Sequence, residues 1–171
     1  DAKYFFGHSS QPSSFSSRIQ IKMGNSVSGA NYLRVQMGSA TNTAPTIDNI
    51  VRMTVGQWFH IALTWQETSG GSGTCTVYIN GDQTVVSAGY SGLSAIGIFA
   101  HIGNNGQTSA GNGPMALIDS VAVWSGALSA VQAKAVYQNC ILTPPLPAGN
   151  PDPADGAVDI ATSKVLSWTA G

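Results

Sequence analysis

Charged side chains are scarce in this chain of 171 residues. Asp, Glu, Lys and Arg together make up 9% of the sequence, whereas soluble domains have about 25%. Seven basic residues against eight acidic ones leave a net charge of −1, and the sequence shows no basic stripe. Because nucleic acids and anionic lipids are bound by clustered positive charge, the sequence argues against both kinds of partner.

Carboxylates are too few and too scattered for most hydrolytic chemistry. Glu67 is the only glutamate, it lies in a polar stretch, and no two aspartates stand at alternate positions of a predicted strand. A retaining glycosidase needs two carboxyl groups about 5 Å apart, so this class of enzyme is excluded. The sequence also has no Gly-x-Ser-x-Gly elbow, no P-loop and no dinucleotide-binding fingerprint.

Cysteines and long apolar runs are also scarce. Cys75 and Cys140 are too few for a disulfide framework, and the sequence leaves open whether they pair. No apolar run approaches the ~20 residues that cross a bilayer, so we expect no membrane insertion. Ser, Thr, Gly, Asn and Gln replace the missing charges, a composition that favours a secreted protein, and Asp1 is interpreted as a processed or trimmed terminus.

What the sequence does contain is a series of short runs in which apolar and polar residues alternate, the pattern of half-buried strands. The stretch Glu67–Thr74 is predicted to be a loop, Asn80-Gly81 a tight turn, and Ala130–Tyr137 the one helix, capped by Ser129. The predicted fold is therefore all-β with one short helix. Its predicted strands are Lys3–His8, Arg18–Met23, Tyr32–Met37, Trp58–Trp65, Thr74–Asn80, Ala95–Ile102 and Ala116–Trp124.

Four motifs follow one another between Val55 and Tyr137. They read GQWFHIALTW at residues 56–65, VYING at 77–81, IGNN at 102–105, and IDSVAVW followed by ALS at 118–129. In this order and spacing they resemble the laminin-G-like and pentraxin-type domains of the concanavalin A-like lectin folds. The resemblance implies a jelly-roll β-sandwich over residues 1–140, with two antiparallel sheets packed face to face.

Both ends of the sequence depart from that pattern. The strands that usually open such a domain do not precede Asp1, which predicts an unpaired sheet edge. Residues 141–153 are proline-rich and predict a stiff linker. Residues 154–171 resemble the truncated start of an immunoglobulin-like or fibronectin-type repeat, so the chain is interpreted as a piece of a larger protein. Its predicted strand Lys164–Trp168 either pairs into the open edge, within the chain or in a second copy as a homo-oligomer, or belongs to a disordered tail.

The three histidines all lie on predicted strands. Phe59, Ile61 and Leu63 form the apolar face of their strand, so His60 points away from the core, and the same reasoning places His101 off the core side. The face of His8 is ambiguous. If the three imidazoles converge, they form a zinc site with an open position for water, as in a metal-dependent ester or phosphoester hydrolase. The alternative is that they are structural or solvated, because their spacing matches no metal motif.

The resemblance also implies a calcium site formed by loop oxygens, which would be weak here because Asn104 and Asn105 are neutral. For a carbohydrate, an exposed aromatic side chain with neighbouring amides is the usual platform. Tyr32, Arg34, Asn104 and Asn105 are therefore the predicted ligand-binding residues. The leading prediction is a non-catalytic module of a larger secreted protein that binds glycan or another cell-surface ligand. The zinc-dependent hydrolase, with His8, His60 and His101 as ligands, is the alternative.

Overall fold

The computed structural model describes residues 3–9, 17–26, 29–40, 46–82, 84–93, 99–104, 113–114, 116–141, 149–152 and 167–169. The chain divides into two compact units, residues 1–137 and residues 138–171. The first unit contains two antiparallel sheets that share one hydrophobic core. A mostly β fold with one short helix confirms the predicted class.

The first sheet has four strands: β1 (Lys3–Ser9), β2 (Arg18–Ser26), β3 (Gly29–Gly38) and β7 (Phe99–Ile102), in the order β3-β2-β1-β7. These agree with four predicted strands, although residues 95–98 of the predicted strand Ala95–Ile102 lie outside the described part. The register shifts between Tyr4 and Phe6 in β1, which marks a bulge.

The second sheet has three strands: β4 (Ile61–Ser69), β5 (Ser72–Ile79) and β6 (Thr84–Tyr90), in sequence order. The predicted loop Glu67–Thr74 is wrong. The strands run on to a two-residue turn at Gly70-Gly71, where both residues have positive φ, a conformation that glycine adopts without strain.

Apolar residues of both sheets meet in the core. Ile19, Leu33, Val35 and Met37 come from the four-stranded sheet, and Cys75, Val77 and Ile79 come from the three-stranded sheet. The side chains predicted to face the core on the Trp58–Trp65 strand pack against this cluster, which confirms that assignment; they are Phe59, Ile61 and Leu63. Cys75 is a buried free thiol, and burial raises its pKa to about 11.

The predicted helix is confirmed as α1 (Ala130–Ile141). Ser129 caps it as expected: the backbone N–H of Gln132 donates to Ser129 Oγ, and Gln132 Oε1 accepts from the backbone N–H of Ser129 at 2.9 Å. The turn at Asn80-Gly81 lies against this helix, because a Cβ at Gly81 would come within 2.8 Å of Tyr137 Cδ1. Lys134 adds an exposed ion pair to Asp82 at 2.6 Å.

The predicted strand Ala116–Trp124 is wrong for the described residues of that segment. They contain no strand, and several large apolar side chains there are exposed, Leu117 at 82%. The alternation of apolar residues predicts a strand only where a neighbouring strand accepts its hydrogen bonds. No such partner is present among the described residues.

The second unit contains a two-stranded antiparallel sheet, β8 (Gly149–Asp152) and β9 (Ser167–Thr169). β8 falls inside the stretch predicted as linker, and β9 overlaps the end of the predicted strand Lys164–Trp168, whose first three residues lie outside the described part. The division at 141–153, the truncated repeat and the homo-oligomer stay predictions.

Candidate ligand-binding face

The outer face of the four-stranded sheet is lined by polar side chains. Arg18, Gln20 and Lys22 alternate on β2 with the core residues, and in the antiparallel register Gln20 lies opposite Gln36 and Lys22 opposite Arg34. Residues directly opposite each other share a face, so these side chains all point away from the core. We call this surface the polar face; its members on the strands are Tyr4, Arg18, Gln20, Lys22, Tyr32, Arg34 and Gln36.

An irregular segment at residues 46–53 extends the polar face beyond β3. The backbone N–H of Leu33 donates to Val51 O at 2.8 Å, and single bridges join Tyr32 to Arg52 and Val35 to Ile47. Arg52 is therefore opposite Tyr32, on the polar face, while Ile47 enters the core. Asp48 comes next in the chain, and its Oδ1 lies 2.8 Å from Arg34 Nε.

The centre of the polar face is buried. Lys22 is 0% exposed, Arg34 1% and Arg18 3%. Charges this deep are stable only when surrounding groups compensate them. Arg18 Nη2 donates to the carbonyl of Ala40 at 2.6 Å, and Lys22 Nζ lies 5.3 Å from the centre of the Tyr4 ring, in a cation–π contact.

Burial and like charge act together on Lys22. Burial, together with the positive charges of Arg34 and Arg18, lowers the pKa of Lys22 to about 8, and the negative charge of Asp48 acts in the opposite direction. Burial also lowers the pKa of Arg18 and raises the pKa of Tyr4. The polar face is therefore a cluster of cations held close together in a region that solvent screens poorly.

The polar face reaches solvent along the edge beyond β3. Arg52 is exposed, Tyr32 is half-buried, and the Asp48 side chain is 26% exposed. We call these three residues the margin. A ligand in solution meets the margin first, with Arg34 directly behind it.

Two of the predicted ligand-binding residues belong to this site: Tyr32 lies in the margin and Arg34 beside it. Asn104 follows β7 at the opposite edge of the sheet, three strand spacings or about 14 Å from β3, and is half-buried. Asn105 lies outside the described residues. The structure thus brings Tyr32 and Arg34 together and separates Asn104 from them.

The three histidines occupy three different surroundings. His8 lies opposite Ile19 on the core side of its sheet, whereas His101 lies opposite Gly7 on the polar face. His60 precedes β4 of the other sheet, with its ring 5.6 Å from that of Tyr137, and burial lowers its pKa.

Metal sites therefore gain no support from the described geometry. The described residues contain no group of three His, Cys, Asp or Glu side chains placed to hold a metal. Asp48, the carboxylate nearest the polar face, is engaged by Arg34. The zinc site and the weak calcium site stay predictions.

Sequence reasoning missed much of the polar face, namely Arg18, Gln20, Lys22 and Arg52. A signal for them was present. The cations of β2 and β3 stand at alternate positions, each between core residues, so one face of a paired sheet must carry them together. The pairing register, which the sequence does not give, is what places Lys22 beside Arg34.

The comparisons with known proteins bear on the fold. A family model described as the concanavalin A-like lectin/glucanases superfamily, of the laminin G type, matches residues 2–134. No match was found among curated proteins or among solved structures. With two antiparallel sheets around one core and a family match over most of its length, this chain belongs to the laminin-G-like branch of the concanavalin A-like lectin/glucanase superfamily.

Proposed function

We propose that this chain is a non-catalytic recognition module that binds a glycan, or another polar extracellular ligand, at the margin of the polar face. Membership of a lectin-like superfamily supports ligand binding in general. The observation that carries the proposal is the margin, where Tyr32, Asp48 and Arg52 bring a phenol, a carboxylate and a guanidinium group to solvent side by side.

The chemistry of the margin suits a sugar. The Tyr32 ring can stack on a C–H face, while Arg52 and Asp48 offer a donor and an acceptor to hydroxyl groups. Backbone pairing holds the main chain of Tyr32 and Arg52 in place, and the ion pair with Arg34 holds the Asp48 carboxylate, which lowers the conformational entropy lost on binding. Asp48 is the only carboxylate that the described residues bring to this face, which supports binding without acid–base catalysis.

Extracellular location is part of the proposal. Its support is the laminin-G-like fold and a composition rich in uncharged polar residues. No helix in the described ranges is long and apolar enough to cross a membrane.

The test is a glycan array followed by affinity measurements on the full chain. We expect Tyr32→Ala to weaken binding to the best glycan at least tenfold, because it removes the aromatic group of the margin. The matched control is Trp58→Ala, which removes a larger aromatic side chain, 65% exposed, that precedes β4 of the other sheet. The proposal is wrong if no glycan is retained, or if Trp58→Ala abolishes binding and Tyr32→Ala leaves it unchanged.

A further inference from the structure

Residues 116–124 expose all of their large apolar side chains. Leu117 is 82% exposed and Val123 78%, and Ile118, Val121 and Trp124 are exposed as well. Together these five residues expose roughly 550 Å² of surface, near the upper limit for the largest apolar patch of a monomeric protein. Apolar surface of this extent is costly to leave in water. We call residues 116–124 the apolar segment.

The apolar segment has the sequence of a strand without the conformation of one. Leu117, Val121 and Val123 stand at alternate positions, as in a strand, yet the described residues form no strand here. Ser120, in the middle of the segment, has a φ of 53°, a left-handed conformation that is strained for a residue with a Cβ. Pairing with another strand would extend Ser120, bury the apolar side chains and give the backbone groups hydrogen-bond partners.

The charge of this region favours a partner of the same composition. Asp119 is the only charged residue in the sequence from 116 to 131. Electrostatic attraction therefore does not select the partner, and burial of apolar surface must do so. A second copy of the chain supplies an identical apolar strip. In an antiparallel pair with Val121 opposite itself, each Asp119 lies opposite Val123 of the second copy, so the two carboxylates do not face each other.

The area of this surface also suits a homodimer. A stable interface buries about 800 Å² on each partner, and homodimer interfaces are the more apolar ones. The apolar segment begins beside the end of β7, because a Cβ at Gly103 would lie 4.0 Å from Ile118 Cδ1, and Ile102 of that strand is also exposed. The shorter residues of the segment are exposed too, so the whole surface approaches the area that such an interface needs; they are Ala116, Asp119, Ser120 and Ala122.

We propose that two copies of this chain associate through the apolar segment, which becomes a paired antiparallel strand at the interface. An interface that pairs a surface with itself is closed, so it produces a dimer and not a filament. This inference does not rest on the proposed function, but it gives the dimer two margins in place of one.

Sedimentation equilibrium of the full chain over a range of protein concentrations tests the association. We expect a monomer–dimer equilibrium for the wild type. Val123→Asp should weaken the dimer at least tenfold, because it buries an added carboxylate from each copy in an apolar interface. Since Val123 is exposed, the variant should keep the fold of the monomer, and circular dichroism checks this.

Val55→Asp is the matched control. It makes the same change at a valine that is 99% exposed, in the turn before β4, and it should leave the dimer unchanged.

Amide hydrogen exchange gives a second readout, which needs no variant. Strand pairing protects backbone N–H groups, so exchange in residues 116–124 should slow as the protein concentration rises.

Three results would overturn the inference: a chain that stays monomeric at every concentration, a dimer that Val123→Asp leaves intact, or a dimer that Val55→Asp weakens as much as Val123→Asp does. A monomer in which residues 116–124 exchange slowly would overturn it as well, since another part of the same chain would then cover the apolar segment.

Discussion

The outer faces of the two sheets carry the same kind of alternation and differ in how deeply their polar side chains are buried. On the three-stranded sheet, Gln66 is exposed, and the hydroxyls of Thr76 and Ser87 hydrogen-bond to each other at 2.7 Å on the surface. On the four-stranded sheet, Lys22 and Arg34 are buried and charged. Alternation in a strand therefore tells which side chains leave the core, and it does not tell whether they reach water.

We expect the largest difference in stability to be between variants of a buried ion pair and of an exposed ion pair. Asp48→Asn removes a carboxylate that pairs with buried Arg34, and we expect it to lower the free energy of unfolding by about 3 kcal/mol, because breaking a buried ion pair by removing one partner is strongly destabilising. Asp82→Asn breaks the exposed pair with Lys134 and should cost about 0–1 kcal/mol. Urea denaturation measures both. Equal costs would mean that the Asp48 environment is screened like the surface.

The second test uses pH. Lys22 has a pKa of about 8 in the folded protein and 10.5 as its ordinary value, so below pH 8 it is charged in both states. As the pH rises from 8 to 10.5, only the folded state releases its proton, and the folded state gains stability. Between pH 7.5 and 9.5 the gain is about 2 kcal/mol, at 1.36 kcal/mol for each pKa unit.

Lys22→Met isolates this contribution, because the methionine does not titrate. The Cys75 thiol acts in the opposite direction over a similar range, since its pKa is raised to about 11 and stability is lost as the pH rises from 9. The thiol is present in both the wild type and Lys22→Met, so its contribution cancels when the two unfolding free energies are subtracted. As the pH rises, the unfolding free energy of the wild type should increase by about 2 kcal/mol relative to that of the variant. A difference that does not change with pH would show that Lys22 is not desolvated.

The smallest expected difference in stability is between variants of two glutamines. Gln20 is buried on the polar face, where its Oε1 accepts a hydrogen bond from Arg18 Nη1 at 3.4 Å, whereas Gln66 is exposed on the other sheet. Gln20→Ala should cost about 1–2 kcal/mol, because it deprives a buried cation of an acceptor. Gln66→Ala should stay within about 0.5 kcal/mol. Thermal unfolding measures the pair, and a Gln66→Ala effect as large as that of Gln20→Ala would remove the distinction between the two faces.

Residues 116–124 give a second case in which a sequence pattern does not decide the structure. Ile118, Val121 and Val123 have the composition of a strand, yet the described structure has no strand there and leaves them exposed. A strand is stable only when a neighbouring strand pairs with its backbone N–H and C=O groups. The sequence of the segment alone does not identify that neighbour. The helix at Ala130–Ile141 was predictable because its hydrogen bonds and its Ser129 cap are local.

The sequence by itself determined the fold class, the core side of most strands, the helix with its cap, and the scarcity of paired carboxylates. All of these depend on residues within one strand or one turn of helix. Only the tertiary structure decided that four cations from three separate segments share one face, that Asn104 stands apart from Arg34, and that the histidines lie in different surroundings. These results depend on strand order and register, which are set by long-range pairing and by the shared core.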